Sequence, residues 1–287
     1  MTGRAIALLA GATMLAVAGP AAAADIVYEP PVVEAPPVYE TPVVEANTGG
    51  WYIRGDIDYH WTGWRGGDYI TYGAGVGEPG TNYFRTGALR PSFSVGAGAG
   101  YQVNKWFRAD VTGDYFFRTT FNGTTGDACG NICTEVGSMS ALVLMANAYV
   151  HLGKYGRFSP YVGAGIGGAR ISWGALQNTN AGVVTEHAGA TNWRFAYAGM
   201  LGTTVCLTDS LDLDVGYRYT RIAGGRMFEY APQAGPGFDR GFNVHEARAG
   251  LRYKIGGRKG HWGGSSCGHK PAPVAYEPPP LEMPVYK

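Results

Sequence analysis

The chain has 287 residues, of which 46 are glycine, with 13% aromatic and only 16% charged residues. A formal charge of +1, with no Lys/Arg cluster, excludes an electrostatic case for nucleic acid. The glycine and aromatic excess departs from the make-up of an ordinary soluble domain.

At the N-terminus Arg4 precedes the apolar run Ala5 to Val17, and Ala21-x-Ala23 offers a small-residue cleavage site. This pattern predicts a secretory signal peptide over residues 1–23. Its apolar core of about 13 residues falls short of the ~20 a transmembrane helix needs. Cleavage after Ala23 would leave Ala24-Asp25 as the new N-terminus. Residues 24–48 then repeat Pro, Val and Glu, as in "VYEPPVVEAPPVYETPVVEA", and the phrase returns near the C-terminus as "AYEPPP". Such composition cannot bury a core and favours extended polyproline II, reaching ~3.1 Å per residue. Both tracts are expected to be disordered Pro-rich tails.

From Trp51 the pattern changes to period two. "WYIRGDIDYHW" puts Trp51, Ile53, Gly55, Ile57, Tyr59 and Trp61 on one face and Tyr52, Arg54, Asp56, Asp58 and His60 on the other. "SFSVGAGAGYQV" follows more loosely, and "FRADVTGDYFF" separates Phe107, Val111, Tyr115 and Phe117 from Arg108, Asp110 and Asp114. "ALVLMANAYVHL", "PYVGAGIGGARI" and "RFAYAGMLGTTV" come next, then "LDLDVGYRYT", which opposes Leu211, Leu213, Val215, Tyr217 and Tyr219 to Asp212, Asp214 and Arg218. "EARAGLRYKI" closes the series at eight strands. The glycine runs "VGAGAG" and "VGAGIGG" open no helix; alternate glycines suit a crowded barrel interior rather than a phosphate loop.

Strands of about ten residues with aromatic residues near their ends match tilted transmembrane β-strands between two interfacial girdles. Short connections ("NKW", "GKYGRFS", "TDS") alternate with long ones, Thr62 to Arg90, Thr119 to Met139, Ser172 to Trp193 and Ala223 to Asn243. The expected fold is all-β: an eight-stranded antiparallel transmembrane β-barrel in the bacterial outer membrane over residues 49–256. Its long loops would be extracellular and both termini periplasmic, with a C-terminal tail over 257–287. An eight-stranded barrel is filled by its own side chains. The inward Arg54, Asp56, Asp58, Arg108, Asp110, Asp114, Arg194, Asp212, Asp214, Arg218, Glu246, Arg248, Arg252 and Lys254 are therefore expected to pair across the lumen and plug it. A narrow ion-conducting path is the alternative.

The opening "GGWYIRGDI" and the final "RAGLRYKI" resemble the eight-stranded outer-membrane β-barrel antigens of alphaproteobacteria, often labelled porin family, over Gly49 to Ile255. In that resemblance Arg248, Gly250, Tyr253 and Ile255 stand for the assembly signal of the last strand, with Ile in place of the usual Phe. The chain also runs on to Lys287 where such barrels normally stop. The resemblance further implies that a mature N-terminus Ala24-Asp25 can be joined to peptidoglycan by L,D-transpeptidases. Partners then expected are outer-membrane lipid and lipopolysaccharide, peptidoglycan, the barrel assembly machinery and neighbouring barrels. No cofactor, metal or enzymatic activity is expected. Surface adhesion through the loops "YITYGAGVGEPGTNYFRTG" and "MFEYAPQAGPGFDRGFN" is a further reading.

His60, His245, Asp239 and Glu229 could meet at a rim in an enzyme, but no spacing motif marks them. Four cysteines allow three pairings. Cys129 and Cys133 share one long loop, whereas Cys206 and Cys267 fall on the opposite side, so an oxidising periplasm favours disulfides 129–133 and 206–267. His261, Cys267 and His269 have metal-ligand character without regular spacing.

Overall fold

The computed structural model describes residues 49–72, 79–126, 132–231, 234–255 and Cys267. The signal peptide, the N-terminal Pro-rich tract with Ala24 and Asp25, and almost all of the C-terminal tail lie outside the described residues.

The strands are β1 (Gly50–Trp64), β2 (Gly67–Thr71), β3 (Gly80–Leu89), β4 (Ser92–Gln102), β5 (Phe107–Thr125), β6 (Cys133–His151) and β7 (Phe158–Trp173), followed by β8 (Leu176–Asn180), β9 (Val183–His187), β10 (Thr191–Cys206), β11 (Leu211–Ile222), β12 (Gly225–Phe228), β13 (Ala234–Asp239) and β14 (Phe242–Lys254). Strands β1, β4, β5, β6, β7, β10, β11 and β14 pair antiparallel in chain order, and β14 returns to β1 with Trp61 opposite His245 and Ile53 opposite Tyr253. The eight strands close into an up-and-down barrel, which removes the open edges of a sheet. Burial alternates along β1 from Trp51 to Trp61, so the charged row turns into the lumen and the apolar row outward. No helix forms among the described residues of the barrel because every segment satisfies its backbone through a neighbouring strand.

The short connections sit together at one end. At 103–106 the Asn104 carboxamide oxygen accepts from the amides of Trp106 and Phe107, each at 2.8 Å. At 207–210 the Thr208 hydroxyl accepts from the Leu211 amide at 3.1 Å.

At the other end the long connections expected from sequence carry strands of their own. β5 and β6 each run 19 residues, and their pairing continues from Thr119–Met139 to Thr125–Cys133. Thr-rich chain with β-branched neighbours fits a pleated surface, so the hairpin continues past the expected strand ends. β2, β3, β12 and β13 form a second patch of sheet on this end, joined to the barrel through β3 and β5, while β8 and β9 extend from β6. The β8–β9 turn is made by Ala181 and Gly182, both at positive φ.

Candidate functional site

The lumen is the site that the barrel builds. At the short-turn end Arg252 and Lys254 reach the Asp212 carboxylate at 2.8 and 2.9 Å, and Arg108 reaches Asp214 at 3.0 Å. The Arg108 guanidinium also lies over the rings of Tyr149 and Tyr161, 4.2 and 4.6 Å from their centroids. Thr204 donates to Asp214 at 2.5 Å. The next layer joins Arg54 to Asp56 at 2.7 Å and to Asp110 at 3.0 Å, with Tyr52 and Asn147 also donating to Asp110.

Midway, Arg248 contacts Asp56, Asp58 and Asp114 at 3.1–3.3 Å, and Arg218 contacts Asp114 at 2.8 Å and Glu246 at 2.5 Å. These side chains are all buried. The structure thus brings together the charged residues of β1, β5, β11 and β14 assigned to the lumen from sequence, while Arg194, on β10, lies apart from them. Glycines leave room for them. A β-carbon at Gly96 on β4 or at Gly250 on β14 would run into the carboxylates of Asp114 and Asp56, respectively.

Beyond this layer the lumen becomes apolar, which the sequence reading missed. His60 stacks on Phe116 at 4.4 Å, and Phe121, Met139, Ile171, Trp173, Ile222, Phe242 and Val244 fill the outer half in one buried cluster. Arg194 closes it on the far side, pairing with Asp239 at 2.6 Å, while the Trp173 indole donates to the same carboxylate at 3.1 Å. The available signal was strand parity: Tyr149, Asn147, Met145 and Val143 share the inward face of β6.

The rim histidines do not meet. His60 is in the lumen, whereas His245 is on the outer face, stacked on Trp61 and bonded through Nδ1 to the Tyr217 hydroxyl at 2.6 Å. Asp239 is engaged by Arg194, and Glu229 by Arg226 at 2.8 Å. In the last strand Arg248 faces the lumen, Gly250 lies opposite Asp56, and Tyr253 and Ile255 point outward. Cys206 and Cys267 form a disulfide with Cα atoms 5.3 Å apart, tying the segment after β14 to the β10–β11 turn. Cys133 is disulfide-bonded as well, and Cys129, its expected partner, lies outside the described residues. Among the described residues no cluster of metal-ligating side chains occurs; His261 and His269 are outside them.

The outer surface carries Trp51, Ile53, Ile57, Val111, Ile166 and Leu201 in a broad apolar band. Aromatic pairs flank it, Trp51 with Tyr101 at the short-turn end and Tyr59 with Phe93 at the other. That is the surface of a protein solvated by hydrocarbon between two interfaces.

A family model described as the outer membrane protein beta-barrel domain matches residues 7–254. An uncharacterized protein of Brucella abortus (strain 2308) is 35% identical over 246 residues, covering 72% of this chain and 85% of its own. A candidate adhesin of Rickettsia bellii (strain RML369-C) is 26% identical over 179 residues, covering 57% of this chain and 75% of its own. Among solved structures, the outer membrane protein OprG from Pseudomonas aeruginosa is similar with a TM-score of 0.48 at 13% identity, covering 72% of this chain and 97% of that one. The attachment invasion locus protein Ail of Yersinia pestis is similar with a TM-score of 0.32 at 12% identity, covering 72% and 100%.

Proposed function

This chain belongs to the outer membrane protein beta-barrel family, and from that premise we propose that it is a structural barrel, closed to solutes, that anchors the bacterial outer membrane to peptidoglycan through its N-terminal tail. The observation that carries the structural reading is the lumen itself. Charges that compensate one another in buried pairs, backed by an apolar layer, argue among the described residues against a water-lined path of the kind wider barrels possess. In this reading the barrel holds position while the tails work in the periplasm, and the β2–β3, β8–β9 and β12–β13 additions stand outside the cell. The tether rests on Ala24-Asp25 and on the reach of an extended tract of roughly 25 residues, on the order of 75 Å. A free α-amine at Ala24 would attack a transpeptidase acyl-enzyme, forming an amide to the wall peptide as the enzyme thiol leaves.

Mass spectrometry of muropeptides from purified sacculi tests this: a peptide linked through Ala24 is expected, and its loss in Asp25→Ala with the barrel still assembled supports the assignment. Complete extraction of the wild-type protein by hot detergent defeats it.

A second reading, surface recognition, is favoured by the exposed Tyr83 on β3, Tyr72 just after β2 and Tyr230 just after β12, and by the adhesin name of the Rickettsia relative. Host-cell binding that survives exchange of these strands for short turns would dismiss it.

A further inference from the structure

The basic residues divide sharply between the two ends of the barrel. Among the described residues the lysines are Lys105, Lys154 and Lys254, all at the short-turn end. The long-connection end carries arginine alone. Four of these arginines sit on the outer surface along one arc of neighbouring strands: Arg221 on β11, Arg65 just after β1, Arg90 just before β4 and Arg118 on β5.

Their placement is set by the strand pattern. Arg221 continues the outward row of Tyr217 and Tyr219, and Arg65 the outward row of Tyr59 and Trp61. Arg118 would turn into the lumen if β5 alternated strictly. A bulge opposite β6 between Phe116 and Thr119 instead leaves Phe117 and Arg118 both outside, with Phe116 and Thr119 both inside. Arg90 sits at the same level, its amide donating to the Thr120 carbonyl at 3.1 Å and its own carbonyl accepting from Thr119 at 2.6 Å.

Each of the four lies just beyond the upper aromatic belt of Trp61, Phe93, Phe117 and Tyr219, where a bilayer's headgroups begin. None makes an ion pair with a carboxylate among the described residues, in contrast to Arg226 and Arg240, which pair with Glu229 and Asp68; Asp239 attracts Arg221 only from beyond ion-pair distance. Arg65 and Arg221 stand near enough for their charges to repel, and the Arg221 guanidinium is held in place by the carbonyls of Ile222, Phe242 and Arg240.

We infer that this arc binds the phosphate groups of an outer-leaflet glycolipid, the bulge and the belt placing the guanidinium groups at headgroup depth. A planar guanidinium offers paired N–H donors that match phosphate oxygens, which an ammonium does not. The lipid occupant follows from the aromatic belt directly beneath the arc, since a soluble polyanion would have no use for it. The inference rests on the orientation proposed above, with the long connections outside.

The test uses the full-length protein in vesicles of neutral phospholipid doped with lipopolysaccharide, either phosphorylated or enzymatically dephosphorylated. Retention through detergent extraction and gel filtration is the readout. The wild type is expected to retain the phosphorylated form, and Arg65→Gln, Arg90→Gln, Arg118→Gln and Arg221→Gln together to weaken retention about tenfold or more, with unchanged migration as a folded barrel on unheated gels. The four corresponding lysine changes should recover only part of it. Should the fourfold variant fail to assemble, Arg118→Gln and Arg90→Gln singly carry the comparison, each with a smaller loss in the same direction. Equal retention by the variants, equal retention of dephosphorylated lipid, or equally tight capture of a soluble heparin fragment without lipid overturns the inference. Labelling of Tyr230→Cys in intact cells reads the orientation separately. Absence of label removes the orientation and the outer-leaflet occupant with it, whereas labelling with unaltered retention removes the lipid site alone.

Discussion

Arg218 shows how a single side chain holds the lumen. Its guanidinium is engaged on three sides by Asp114, Glu246 and, at 3.8 Å, Asp58, carboxylates from three strands distant in sequence. Replacing it with alanine strands buried carboxylates, a loss of about 3–5 kcal/mol for a broken buried ion pair. Arg218→Ala is expected to lower the urea midpoint of the barrel in vesicles accordingly, while Arg218→Ala with Glu246→Ala loses less than the sum of the single changes. Outside the membrane, His187 on β9 packs on Phe228 with ring centroids 4.8 Å apart, and burial pushes its pKa below the usual imidazole range against a backbone hydrogen bond at Glu229. Because the folded value is depressed, the unfolded imidazole takes up a proton first. The stability that His187 contributes is therefore full above about pH 6.5 and declines as the pH falls from there toward the folded value. Hydrogen exchange, corrected for intrinsic rates, should show the Ala188–Ala190 amides losing protection between pH 7.5 and 5.5; a His187→Phe chain that loses as much would refute the assignment.

Strands β4 and β7 carry the small side of the packing. Gly96, Gly98 and Gly100 on β4 and Gly163, Gly165 and Gly167 on β7 turn inward opposite strands with long charged or aromatic side chains, so large faces small across the lumen. Gly250→Ala on β14 forces Asp56 away from Arg248, an overpacking loss of about 1–3 kcal/mol. Gly199→Ala on β10, where an added methyl meets nothing, should stay within about 0.5 kcal/mol; equal midpoints for the two variants would mean that lumen crowding is not what selects glycine. These strands were legible in the sequence wherever one face is charged and the other apolar, as along β1, β5 and β11. Legibility fails further out. On β6, Leu142 and Leu144 face outward while Ala141, Val143 and Met145 face inward, and on β7 Arg170 and Ser172 face outward while Ile171 and Trp173 fill the lumen. Two apolar faces erase the alternation, and a reversed contrast misleads it. The added strands β8, β9, β12 and β13 are four to six residues long, with partners as distant as β2, so no local pattern announces them.

At the scale of the molecule the proposed closed barrel has two seals, paired charges over one half of the lumen and the Phe121, Trp173 and Phe242 cluster over the other. The two seals work differently. Ions crossing the charged half would have to displace arginine–carboxylate contacts, and ions crossing the apolar half would lose most of their hydration. Either barrier alone is enough to exclude steady flow, so the wild type in planar bilayers should give no large, stable steps. Phe121→Ala with Phe242→Ala, which thins only the apolar seal, should stay silent too. Adding Arg218→Ala and Glu246→Ala removes part of the second barrier as well, and flickering small-conductance events are expected only then, in protein that still migrates as a folded barrel. Steady nanosiemens steps from the wild type would sink the closed-barrel reading, and steady current from the double phenylalanine variant would show that the charged half is a hydrated path rather than a seal.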